Sequence, residues 1–109
     1  MNVLFLTTFG QSILHEHIFT RNVWYALRKN PDVSLMTIFK GGETIKYEYV
    51  PSEKWHKLYI PSSVIKSRMD TVEVVKDCFR DISPDIIHSN MIETFEIEAA
   101  SELKIPIVL

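Results

Sequence analysis

A single cysteine, Cys78, stands in a chain of 109 residues. It has no partner for an intrachain disulfide, and a reducing, cytoplasmic setting fits it best. Clusters of positive charge are missing too. Lys and Arg are scattered without a run or a stripe, and the net charge is −2 with histidine neutral. Nothing electrostatic therefore calls for a nucleic-acid partner. No apolar stretch approaches the roughly 20 residues that span a bilayer. The apolar start at Val3–Phe5 is short, with no positive residue ahead of it, and reads as a first strand and not as a signal peptide. Contact with the inner face of a membrane is left open.

The short motifs of cofactor and hydrolase chemistry are also missing. There is no Gly-x-Gly-x-x-Gly dinucleotide fingerprint, no Gly-Lys-Ser/Thr phosphate loop and no Gly-x-Ser-x-Gly nucleophile elbow. His15-Glu16-His17 lacks the zincin spacing. Residues two apart on a helix lie about 200° around its axis, so these histidines diverge. No cofactor and no metal is expected.

What is present is the composition of a soluble globular domain, 46% hydrophobic and 24% charged, in a length that allows one domain over residues 1–109. Asn2–Thr8 is an apolar run rich in β-formers, as in a parallel strand buried on both faces. Phe9-Gly10-Gln11-Ser12 follows as a turn. A helix is expected over Ile13–Asn30, with Phe19, Val23, Ala26 and Leu27 on one stripe and Pro31 as its stop. Val33–Phe39 reads as a second strand, broken by Gly41-Gly42. Ile45–Val50 and Trp55–Ile60 alternate and carry Tyr47, Tyr49, Trp55 and Tyr59. They read as an irregular, half-exposed β insertion beside the third strand, its aromatics covering the sheet edge.

A second helix is expected over Val64–Ile82, capped by Ser62 or Ser63. Its buried face is Ile65, Met69, Val72, Val75, Phe79 and Ile82, with Cys78 packed nearby. Asp85–His88 is a short buried strand, Ser89–Ile92 a turn, and Glu93–Leu103 a third helix with Phe95, Ala99 and Leu103 on one side. Ile105–Leu109 starts another strand. Strands alternating with helices give an α/β fold, a Rossmann-like three-layer α/β/α sandwich on a mostly parallel sheet. Because the chain stops inside an apolar strand, it reads as a fragment, and self-association through the exposed sheet edge is an expectation.

Ligands of such sheets bind at the carboxyl ends of the strands. That nominates Gly10, Gln11 and Ser12 after the first strand and His88, Ser89 and Asn90 after the fourth. The first loop offers backbone N–H groups at a helix start, or is a plain turn. His88 either donates to a sugar hydroxyl or phosphate, or is satisfied by a neighbouring carbonyl.

Three pieces together carry a resemblance: Asn2-Val3-Leu4-Phe5-Leu6-Thr7-Thr8 with its glycine loop, Ser83-Pro84-Asp85-Ile86-Ile87-His88-Ser89, and Ile105-Pro106-Ile107-Val108-Leu109. Their order and spacing resemble the amino-terminal domain of GT-B glycosyltransferases of the family-four type, over nearly the whole chain. The resemblance implies transfer of a sugar from a nucleotide-sugar donor to a glycan or lipid-linked acceptor, as in polysaccharide biosynthesis. This chain would be the acceptor-side domain, inactive alone because the donor site belongs to a second domain. It implies acceptor contacts at Gly10, Gln11, Ser12, His88, Ser89 and Asn90. The family's glycine pair is here the lone Gly10, and its second histidine falls at Asn90, which bonds a hydroxyl but cannot act as a base. No catalytic residue is assigned. The alternatives are a UDP-N-acetylglucosamine 2-epimerase-like enzyme of the same fold and a non-enzymatic flavodoxin-like binding domain. A receiver domain would need paired acids after its first strand, which Asn2–Thr8 does not supply.

Overall fold

The computed structural model describes residues 1–7, 29–90 and 93–109. Strand β1 (Val3–Thr7) lies in the middle of the sheet. Leu4 and Leu6 are fully buried on one side, and Phe5 and Thr7 are buried on the other. A strand with two covered faces needs an unbroken apolar run, which explains why the alternation seen in half-exposed strands is missing here. β1 pairs in parallel with β2 (Val33–Lys40), Phe5 opposite Leu35, and with β5 (Ile86–Ser89), Phe5 opposite His88.

The described residues form a six-stranded sheet in the order β3-β4-β2-β1-β5-β6. Only β3 (Lys46–Val50) runs antiparallel, against β4 (Trp55–Ile60). β6 (Ile107–Val108) closes the far edge beside β5. Counted along the chain, the parallel strands stand across the sheet as third, second, first, fourth, fifth. That is the doubly wound dinucleotide-fold order, with its reversal between β1 and β5. A flavodoxin-like sheet has the order second, first, third, fourth, fifth, so the strand order speaks against that alternative.

One face of the sheet carries α1 (Ser62–Ile65), α2 (Arg68–Ile82) and α3 (Phe95–Glu102). The main core fills the space between, with Leu4, Leu6, Met36, Ile38, Leu58, Ile60 and Ile87 from the strands against Val72, Val75, Phe79, Phe95, Ala99 and Ala100. On the opposite face Phe5, Val33 and Leu35 form a smaller buried cluster with Val3 and Trp55 against it.

Four expectations need correction. Trp55–Ile60 is not an insertion beside the third strand but is itself the third parallel strand, paired with β2 and buried at Leu58 and Ile60. Its outward-looking residues misled the reading, because Lys57 lays its ammonium 4.2 Å from the Trp55 ring centroid and so fits a covered face. The expected Val64–Ile82 helix is broken: α1 is one turn, and α2 begins anew after Ser67, whose side chain accepts the Asp70 N–H. The new helix start leaves Met69 80% exposed instead of buried. Finally, Lys29 and Asn30, expected to be the last residues of a helix, belong to a turn instead. The Asn30 side chain accepts the Asp32 N–H, and the Asn30 carbonyl accepts the Val33 N–H. The remainder of that expectation, from Ile13 to Arg28, falls outside the described residues.

Gly41 and Gly42 end β2 at φ of 140° and 86°, a backbone region closed to most side chains. Ser83 closes α2 in the left-handed conformation at φ 51°, its N–H bonded to the Phe79 carbonyl.

Candidate functional site

The reversal of strand order brings the carboxyl ends of β1 and β5 side by side, the place where open α/β sheets hold ligands. The Asn90 N–H donates to the Leu6 carbonyl at 2.8 Å, carrying the pairing one residue past β5. His88 and Asn90 are thereby fixed at the rim. The His88 side chain is exposed and its ring sits 5.5 Å from that of Phe5. Ser89 is only 4% exposed and, by strand alternation, faces the helices with Ile87. Gly10, Gln11 and Ser12 lie outside the described residues, as do His15, Glu16 and His17. Of the six nominated residues, the structure brings His88, Ser89 and Asn90 to one strand end, and among these three only His88 is exposed.

Two hydroxyls at the same ends of the sheet are already engaged. Thr7 donates to the Met36 carbonyl at 3.2 Å, Thr37 donates to Thr7 at 2.8 Å, and Trp55 Nε1–H donates to Thr37 at 2.9 Å. This chain leaves none of the three for a ligand and ties β1, β2 and β4 together.

Part of the motif around His88 is structural. The Asp85 carboxylate accepts the Asn2 backbone N–H at 2.6 Å, and the Asp85 N–H donates to the Asn2 carbonyl at 2.8 Å. The Asn2 amide also reaches the Ile82 carbonyl at 3.3 Å. Asp85 therefore secures the start of β1 at the end of the sheet remote from the site.

The residue that sequence reasoning missed is Glu96. It stands in the first turn of α3, the helix that follows the carboxyl end of β5. It is 0% exposed, and neither carboxyl oxygen has a hydrogen-bond partner. Burial pushes its carboxyl up to about 7, and the nearby Glu93 charge adds to this. Its own backbone N–H, short of hydrogen-bond geometry, and the Arg68 guanidinium draw it back in part. Arg68 is otherwise committed, bonding the Thr94 hydroxyl and the Glu98 carboxylate. Carboxyls shifted this far by burial concentrate at functional sites, which makes Glu96 a candidate beside the rim residues. The signal in the sequence was a carboxylate inside an apolar stripe, since Glu96, Ala99, Ala100 and Leu103 fall at i, i+3, i+4 and i+7.

Among the described residues no group of three His, Cys, Asp or Glu could hold a metal ion, and no helix is long and apolar enough to cross a membrane. Cys78 is buried in α2; burial first, then the charges of Asp81 and Asp77, push its thiol up to about 11, which leaves it inert as a nucleophile. No family model matches the chain, and no curated protein matches it either.

Proposed function

We propose that this domain forms the acceptor-side wall of a glycosyltransferase that moves a sugar from a nucleotide-sugar donor to a glycan or lipid-linked acceptor. The observation that carries the reading is the exposed His88 imidazole at the β1/β5 reversal, with Asn90 beside it. Both side chains bond hydroxyls, and the buried Phe5 ring packed against His88 helps to hold the imidazole at the rim. The Rossmann-like strand order and the three sequence pieces that resemble the GT-B amino-terminal domain support the same reading. Donor binding is assigned to a second domain.

Saturation-transfer NMR on the chain tests this with two panels, methyl glycosides as acceptor mimics and nucleotide sugars as donors. The glycosides should receive saturation and lose it in His88→Ala, while the nucleotide sugars receive none. Nucleotide-sugar binding by this chain, or glycoside binding indifferent to His88→Ala, would overturn the assignment.

A further inference from the structure

Strand β3 is the outermost strand on its side of the sheet, and among the described residues nothing pairs with its outer edge. Ile45 is 48% exposed, Tyr47 44% and Tyr49 43%, so three large apolar residues line one face of a single edge strand and its lead-in. Natural edge strands are usually blunted by proline, a bulge or charged side chains, lysine above all. Ile45–Val50 holds no proline and no bulge, and its two charges, Lys46 and Glu48, are of opposite sign on the other face, so that they repel a like-charged edge but match one another across a two-fold axis. Their contacts within the chain are loose, with Glu48 at 3.9 Å from both Lys46 and Lys57.

The two tyrosines are held in place. The Tyr47 hydroxyl lies 2.5 Å from His56 Nδ1 on β4, and the Tyr49 ring packs 4.5 Å from the same imidazole. Rings already fixed by a neighbouring strand lose little conformational freedom when something docks on them.

We infer that a second copy of this chain pairs with β3 antiparallel about a two-fold axis through Tyr47, joining the two sheets edge to edge. In that register Tyr47 faces Tyr47 of the other copy, and Ile45 faces Tyr49 twice. On the opposite face Lys46 stands across from Glu48 twice. Directly opposed side chains are the unit of sheet stability, and both faces match. The charges also reject the neighbouring symmetric registers. Centring the axis on Glu48 sets carboxylate against carboxylate, and centring it on Lys46 sets ammonium against ammonium. The contact is isologous, so it closes at two copies. With strands of five residues the interface falls at the small, reversible end of the size range.

Sedimentation velocity from about 10 μM to about 1 mM, the range in which a weak interface dissociates, is the test. The chain should convert from monomer to dimer across that range, and added salt should shift the transition to higher concentration. Lys46→Glu should abolish the dimer by placing like charges opposite each other. Combining it with Glu48→Lys should restore the dimer, because the pair is then reversed and complementary. Both residues concerned, Lys46 and Glu48, have exposed side chains, and circular dichroism verifies that each variant is folded. A wild-type chain that stays monomeric throughout overturns the proposal. So does a Lys46→Glu variant that dimerises like the wild type, or a double variant that stays monomeric.

Discussion

Replacing Glu96 by Gln should make the protein less sensitive to pH in a defined direction. Gln keeps the size and hydrogen-bonding needs of the protonated acid but cannot ionise. In the folded chain the Glu96 carboxyl titrates at about 7, against an ordinary value of 4.5, because it is buried without a hydrogen-bond partner. The folded state therefore holds this proton more tightly than the unfolded one. Below pH 4.5 both states are protonated, and the contribution to stability is fully present. Between 4.5 and about 7 the unfolded chain releases the proton first, and stability falls until the folded state ionises as well. A gap of about two and a half pH units at ~1.4 kcal/mol each comes to about 3 kcal/mol. Urea unfolding at pH 5 and pH 8 measures it. Because the unfolded carboxyl is already largely ionised at pH 5, wild type should lose about 2.5 kcal/mol more than Glu96→Gln over that span, a relative shift in midpoint of roughly 1–2.5 M. Other titrating groups act equally in both proteins and cancel in the comparison. Wild-type and variant curves that stay parallel from pH 5 to pH 8 would refute the idea that Glu96 is buried and unpaired.

Two further substitutions probe the scaffold around the site. Ser67→Ala removes the side chain that accepts the Asp70 N–H at the start of α2 and should cost about 1 kcal/mol in a chemical melt, whereas Ser63→Ala should cost close to nothing because no capping bond forms at α1. Thr37→Val leaves the Trp55 indole N–H without its acceptor and interrupts the bond to Thr7; a loss of about 1–3 kcal/mol is expected, with a change in tryptophan fluorescence as a second readout.

The fold was legible where one signal dominated. The unbroken apolar run at β1 and the short apolar runs at β5 and β6 announced a parallel sheet, and the Phe95/Ala99/Leu103 spacing announced α3. It was less legible where two signals competed. The apolar steps of three and four from Ile65 to Ile82 run straight through Ser67, and only the capping bond shows that the helix restarts there. The period therefore included Met69, which the restart turns to solvent. At β4 the polar atoms of Lys57 and Tyr59 implied exposure, yet long side chains can cover a sheet with their apolar parts and keep their polar ends in water. The Trp55, Phe39 and Tyr59 rings cover this face together, with Phe39 and Tyr59 stacked at 4.9 Å.

The candidate site shows why a motif is a poor unit for assigning function. In Pro84-Asp85-Ile86-Ile87-His88 only the last residue is presented to solvent at the carboxyl end of the strand. Asp85 secures β1 through the Asn2 backbone, and Ile87 is buried beneath the helices. Most of the piece that carries the resemblance thus meets requirements of the doubly wound sheet itself, which proteins of many activities share. Chemical content has to come from residues that the fold does not need, and two meet that standard here. His88 is exposed at a position where its strand neighbours are apolar, and Glu96 occupies a core position that an alanine or leucine would fill at lower cost. A carboxyl kept in such a place against the physics of burial points to chemistry more directly than the motif does.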